Sequence, residues 1–168
     1  MISIKMCRSD KFASVAFEEA DLSTLNYKVG ACISKGSKVI VKGHNNQRTR
    51  YLNTNYLCTH GEMECARDFI NKIVKTSMKA HIKSLRNDNY RRKMKKYIVW
   101  VVRRGYSNSV FMQSVPCEDC KNSLMEMGFE KVGYSDIDGN IVVTKLKNIE
   151  GILSDAQLNY YENLKNCK

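Results

Sequence analysis

Ser114-Val115-Pro116-Cys117-Glu118-Asp119-Cys120 decides how this chain is read, together with its counterpart upstream, Thr59-His60-Gly61-Glu62-Met63-Glu64-Cys65. Joined, they spell His-x-Glu followed by Pro-Cys-x-x-Cys. Cys117 and Cys120 are three apart at a predicted helix start, so their side chains share one face. The positive end of the helix dipole favours thiolate over thiol there, as a metal ion does. Pro116 suits a helix start, where an amide without an intrahelical partner is normal. His60 opens the preceding predicted helix, so two neighbouring helix starts can aim one imidazole and two thiolates at one zinc ion. Three protein ligands leave the fourth tetrahedral position open, which is the arrangement of a catalytic zinc rather than a structural one.

Working outward, the pattern alternates helices with strands. Ser9 is the expected N-cap of a helix from about Asp10 to Leu22, with Phe12, Val15 and Ala16 as its buried stripe. Tyr27–Ser34 and Val39–Gly43 read as a hairpin around Lys35-Gly36-Ser37-Lys38. A polar loop then runs to about Cys58. From His60 a spacing of three to four continues through Met63, Ala66, Ile70, Ile73 and Val74, predicting one helix to about Leu85. Asn87-Asp88-Asn89 breaks it, and Tyr90–Lys96 is basic without a defined form. The continuous apolar run Tyr97–Val102 is a central strand buried on both faces, and Arg103–Gln113 a polar loop. A helix from Cys117 to about Met127 stops at Gly128. Strands at Lys131–Ser135 and Ile141–Thr144 follow, then a last helix from Ser154 to near Asn166. The order α-β-β-α-β-α-β-β-α makes a layered α/β fold with helices on the faces of a sheet.

With 168 residues the chain has the length of one domain, and 43% apolar with 27% charged residues is an ordinary globular balance. No run is long enough for a membrane span, and the N-terminus lacks a signal-peptide core. A cytoplasmic protein is the expectation. The seven cysteines are scattered, which in an intracellular protein favours metal ligands and free thiols over disulfides. The net charge of +11 is concentrated: ten basic residues against Asp88 alone lie between Lys72 and Lys96. That basic helical extension points to an anionic partner, nucleic acid or a phosphate-bearing small molecule, or else to a solvated helix face.

The residues alone leave alternatives open. A fourth ligand from Cys58, Cys65, His44 or His81 would make the zinc structural. Cys-x-x-Cys could be a redox pair, although His-x-Glu then has no role. Glu64, four residues from His60, competes with Glu62 for the part of general base.

The paired motifs in this order resemble the cytidine/deoxycytidylate deaminase superfamily, over about Lys28 to Ser135. Val29-Gly30-Ala31-Cys32-Ile33 is similar to the family's first strand. Gly43-His44-Asn45 stands where Gly-Tyr-Asn is usual, and His60-Gly61-Glu62 where His-Ala-Glu is commoner. Fifty-seven positions separate His60 from Cys117, a long interval that the basic stretch fills. Tyr134-Ser135-Asp136 with Gly139-Asn140 is similar to deaminase-like proteins of large DNA viruses.

The resemblance implies a three-layer α-β-α fold with a mixed five-stranded sheet and zinc between two helices. It assigns His60, Cys117 and Cys120 as zinc ligands and Glu62 as proton shuttle. Asn45 would bind the sugar, and Ala31 and Val115 would line the base pocket. The implied activity is hydrolytic deamination of a cytosine nucleotide or nucleoside, dCMP foremost, by a homo-oligomer. Arg48 and Arg50 would then meet a 5′-phosphate. An editing deaminase acting on tRNA or single-stranded DNA is the second expectation, with the Lys72–Lys96 stretch along the backbone and Tyr90, Tyr97 or Tyr106 stacking on bases. A catalytically idle nucleic-acid-binding module is the third, and Glu62 would be superfluous in it.

Overall fold

The computed structural model describes residues 7–48, 50–51, 54–55, 59–105 and 111–151, with 50–51 and 54–55 described through their backbone only. The predicted C-terminal helix, Cys58, Tyr106 and the Arg50 side chain lie outside this description. In chain order the elements begin with helix α1 (Arg8–Ala20), strands β1 (Lys28–Lys35) and β2 (Lys38–His44), and the short pair β3 (Arg50–Tyr51) and β4 (Thr54–Asn55). Helix α2 (Gly61–Asp68), a π-helical stretch (Phe69–Val74), α3 (Met78–Ser84) and α4 (Asp88–Met94) follow. Then come β5 (Tyr97–Arg104), β6 (Phe111–Met112), α5 (Glu118–Glu126), β7 (Lys131–Ser135) and β8 (Ile141–Lys145). No helix among the described residues is long and apolar enough to cross a membrane.

The strands pair in the order β2-β1-β5-β7-β8, and β6 adds a sixth by pairing with β5. β1 lies antiparallel to β5 and β5 parallel to β7, so the sheet is mixed. The expected five-strand path is present, and β6 forms inside the stretch expected as a polar loop.

Strand β5 is central, as its apolar run requires. Val99 and Val101 face the layer of α2 and α5, where Ala31, Ile33, Phe69 and Leu124 surround them. Trp100 and Val102 face α1, among Phe12, Ala16 and Cys32. Each large side chain buried this way contributes about 1.5–3 kcal/mol. The Trp100 indole N–H donates to the Ser34 hydroxyl at 2.8 Å, so the polar edge of the ring is satisfied inside the core.

Two expectations need correction. The first helix begins two residues early, with Cys7 rather than Ser9 at the N-cap; the Ser9 hydroxyl instead meets the Cys7 sulfur at 3.2 Å. The long helix expected from His60 to Leu85 is broken. Its α-helical part ends at Asp68, a π turn carries Phe69–Val74, and Lys75 adopts φ 57°, ψ 46°. The π turn buries the adjacent Phe69 and Ile70 together, with Phe69 edge-on to Tyr97 at 4.7 Å and to Phe129 at 5.7 Å. The β-branched Ile73 and Val74 and the Ser77 cap, which accepts from the Ala80 N–H, then restart the chain as α3. Tyr90–Lys96, unassigned from sequence, falls largely in α4, capped by Asn87 accepting from the Tyr90 N–H.

Candidate metal centre

Three local features bring the two motifs together. At the end of β2 the backbones of Asn46 and Thr59 exchange both hydrogen bonds, at 3.0 and 3.1 Å. That bridge delivers His60 to the start of α2 beside β1. Gly61 then allows close approach: a Cβ there would stand 2.7 Å from the Val29 carbonyl oxygen and 3.3 Å from the Asn45 nitrogen. On the far side, the buried Ser114 hydroxyl donates to the Val101 carbonyl at 2.8 Å and accepts from the Ser135 N–H at 2.9 Å. Ser114 thereby ties Val115-Pro116-Cys117 to the ends of β5 and β7. Neither Thr59 nor Ser114 was singled out from sequence, because each acts through a distant backbone partner.

His60, Cys117 and Cys120 converge, their ligand atoms all within 4.8 Å of one another. His60 Nδ1 lies 3.2 Å from Cys120 Sγ and 3.5 Å from Cys117 Sγ. A tetrahedral zinc with Zn–S about 2.3 Å and Zn–N about 2.0 Å separates neighbouring sulfur and nitrogen ligands by roughly 3.5 Å. The cluster therefore fits zinc through Nδ1 and both sulfurs. Cys117 is pushed down to about 4, first by the hydrogen bond from Cys120 and further by His60, against the effect of burial. Cys120, which gives that hydrogen bond and is buried beside Glu62, is pushed up. The same contacts favour thiolate at the sulfur nearest the helix start, as a metal site needs.

Glu62 is 3% exposed. Burial pushes its carboxyl above the ordinary carboxylate range, His60 opposes this and Cys117 reinforces it. Glu64 faces elsewhere, taking Arg48 Nη1 on both carboxylate oxygens, at 3.1 and 3.2 Å, as well as Arg67. Among the described residues, the proposed fourth ligands are also occupied elsewhere. His44 Nδ1 is 3.1 Å from Glu19. His81 lies between the Tyr90 hydroxyl at 2.8 Å and the Met127 carbonyl at 2.9 Å. Cys65 points its sulfur at the Val41 carbonyl inside the core.

Around the cluster, Asn45 is buried; its Oδ1 accepts from the Val29 N–H at 2.9 Å and its Nδ2 donates to the Tyr27 carbonyl. Ala31 is fully buried on β1 and Val115 half-buried, both in the apolar cluster that holds Cys117 and Cys120. Arg48 sits at the exposed rim, engaged with Glu64.

A family model described as the cytidine and deoxycytidylate deaminase zinc-binding region matches residues 6–136. The chain belongs to this deaminase family. No curated protein matches it by sequence. Among solved structures, it is similar to cytidine deaminase from Burkholderia pseudomallei, with TM-score 0.54 and 18% identity over 83% of this chain and 93% of that one. It is also similar to dCMP deaminase from the cyanophage S-TIM5, with TM-score 0.47 and 18% identity over 77% of this chain and 82% of that one. A second structure of that enzyme, in complex with dCMP and dUMP, gives TM-score 0.46 and 17% identity over 76% and 80%. At such identities the likeness concerns fold, and the first of these agrees with the cytidine deaminase-like architecture of the chain.

Proposed function

We propose that this chain is a zinc-dependent hydrolase that converts the cytosine of a free nucleotide or nucleoside, dCMP foremost, to uracil with release of ammonia. The observation that carries the proposal is the buried Glu62 carboxyl set beside the His60, Cys117 and Cys120 cluster. When bound by these three side chains, zinc supplies Lewis acidity that brings the pKa of a water to about 7. Glu62 is placed to take a proton from the attacking water and deliver it to the ring nitrogen beside the amine-bearing carbon. The proton remaining on the added hydroxyl passes through Glu62 to the amine, leaving a carbonyl on the ring. A carbon–oxygen bond forms, the carbon–nitrogen bond breaks, and ammonia leaves. The burial that raises the Glu62 pKa suits a carboxylate that must hold a proton and return it.

Ala31 and Val115 line the base pocket in this reading, and Asn45 faces the sugar. Arg48, released from Glu64, and Arg50 reach the 5′-phosphate. Assembly as a homo-oligomer belongs to the same proposal. Editing of tRNA or single-stranded DNA draws on the Lys72–Lys96 stretch alone, which makes it the second reading.

The test is turnover of dCMP by zinc-quantified protein, read as the mass change when an amine is replaced by a hydroxyl, with Glu62→Ala as control. Turnover by the parent and none by the variant is the expected result. Full activity in Glu62→Ala would remove the proton-shuttle assignment. No turnover by zinc-loaded protein would turn attention to tRNA and single-stranded DNA.

A further inference from the structure

A large group of basic residues lies on the pole of the molecule away from the metal centre, while Lys28, Arg103 and Arg104 stand at the metal end, Arg103 over the Tyr27 ring and Arg104 paired with Asp21. The register of the sheet shows this first. Gly61 packs on Val29, and Ser114 on Val101 and Ser135, so the metal cluster sits over the start of β1 and the ends of β5 and β7. At the other end of the same strands, Lys38 pairs with Lys35, Lys35 with Tyr97, Ile98 with Lys131, and Lys131 with Lys145. Four residues of β5 separate Val101 from Tyr97, about 13 Å at ~3.3 Å per residue. The helices agree. α5 carries Cys117 and Cys120 at its start, whereas its far end meets α3, where His81 bonds the Met127 carbonyl. A helix of nine residues puts about 14 Å between those ends.

Helices α3 and α4 and the turns that follow them add Lys79, Lys83, Arg86, Arg92, Lys93 and Lys96 to this pole, all exposed and without an acidic partner among the described residues. The acids on the same stretches are Asp88, Glu126 and Glu130. Asp88 is paired with Arg91, and Glu130 with both Lys95 and Lys145. The Glu130 pairs join α4 to the edge of the sheet and make the surface continuous. Lys131, Lys145 and Lys147 also line a shallow surface hollow of about 420 Å³.

We infer that this pole is a docking surface for the phosphate backbone of a nucleic acid, separate from the deaminase site. The cations span five strands, about 19 Å at ~4.8 Å per strand, and continue over two helices. A single phosphate or nucleotide could engage only a small part of such an array. A protein partner would need an apolar anchor at the centre of its footprint; α3 and α4 expose no large apolar side chain, and the exposed Val143 lies at the margin of the array, on the edge strand β8. The aromatic rings here are committed: the Tyr90 hydroxyl to His81, and Tyr97 between Phe69 and the Lys35 ammonium. With no free ring at this pole among the described residues, binding depends on charge and ignores sequence. The surface retains the protein on a polynucleotide without presenting that polynucleotide to Glu62.

The experiment is fluorescence anisotropy with the full chain and labelled single-stranded and duplex DNA of two unrelated sequences, between about 50 and 200 mM salt. Expected are similar affinities for both sequences and a slope of log affinity against log salt of about −4 or steeper. The triple variant Arg86→Gln, Arg92→Gln, Lys93→Gln weakens binding by at least ~10-fold and makes the slope shallower by about 2–3. A second variant on the sheet edge, Lys131→Gln, Lys145→Gln, Lys147→Gln, weakens binding in the same direction and carries the test if the first fails to fold. Both variants keep the parent's zinc content and its rate on dCMP. The binding readout does not need the deaminase to turn over, so it stands even if the proposed activity fails. Absence of binding at low salt, unchanged binding in both folded variants, sequence preference above about tenfold, or tighter binding of polyglutamate would each overturn the inference.

Discussion

Substituting Ala for Gly61, which restores the residue commonest between His and Glu in the deaminase superfamily, should damage this protein. A Cβ at 61 would lie 2.7 Å from the Val29 carbonyl oxygen and 3.3 Å from the Asn45 nitrogen. Both neighbours are backbone atoms that cannot rotate away. Overpacking a well-filled site costs about 1–3 kcal/mol. Against it stands the gain from replacing glycine with alanine at a helix start, about 0.4–1 kcal/mol through the unfolded chain. The net is a loss of about 1–2 kcal/mol, which for a chain of this size lowers the melting temperature by about 2–8 °C. The displacement also reaches His60, one residue away, so zinc affinity should fall. Thermal melts and zinc competition against a chromophoric chelator measure the two effects. An equal or higher melting temperature with unchanged zinc affinity would refute the idea that close packing on β1 explains the glycine.

Cys120→Ser should lose stoichiometric zinc and lower stability, since the remaining ligands are left partly unsatisfied; metal analysis after gel filtration checks it. Ser114→Ala removes a hydroxyl that bonds both Val101 and Ser135. It should cost about 1–3 kcal/mol in urea unfolding and weaken zinc binding without touching a ligand. His81 is pushed below the ordinary histidine range by burial. The unfolded chain therefore takes up a proton near pH 6.5 that the folded one refuses, so this stability is present above that pH and lost as pH falls below it. Denaturant midpoints should drop from pH 7.5 to 5.5, and His81→Leu, less stable at the higher pH, should drop less.

That Cys117 and Cys120 lie together was legible because their spacing is a local matter: a Cys-x-x-Cys at a helix start shares a face whatever surrounds it. The choice between Glu62 and Glu64 was not. On an isolated helix both are close to His60, and only the Arg48 and Arg67 partners of Glu64 draw it to the outer rim. The break in the long helix was hidden for a related reason. Ile70, Ile73 and Val74 keep a helical rhythm across the π turn, so periodicity cannot register the extra residue per turn, and Lys75 gives no warning of its positive φ. The sheet order was recoverable in outline from β5, whose apolar run admits only a central place. The role of Asn45 could not be read locally, because the β1 backbone that holds its amide is sixteen positions away in sequence.

The bridge between Asn46 and Thr59 has a consequence for how such a protein can change. It closes the base of the intervening segment with two backbone hydrogen bonds, which no side-chain replacement inside the segment can remove. The residues between can gain, lose or exchange side chains, and even alter in length, while His60 stays where the bridge puts it. Closing a longer loop costs little, about 0.6 kcal/mol for each doubling of its length. Change within the segment is thereby uncoupled from the placing of His60, which stands on the far side of a fixed clasp.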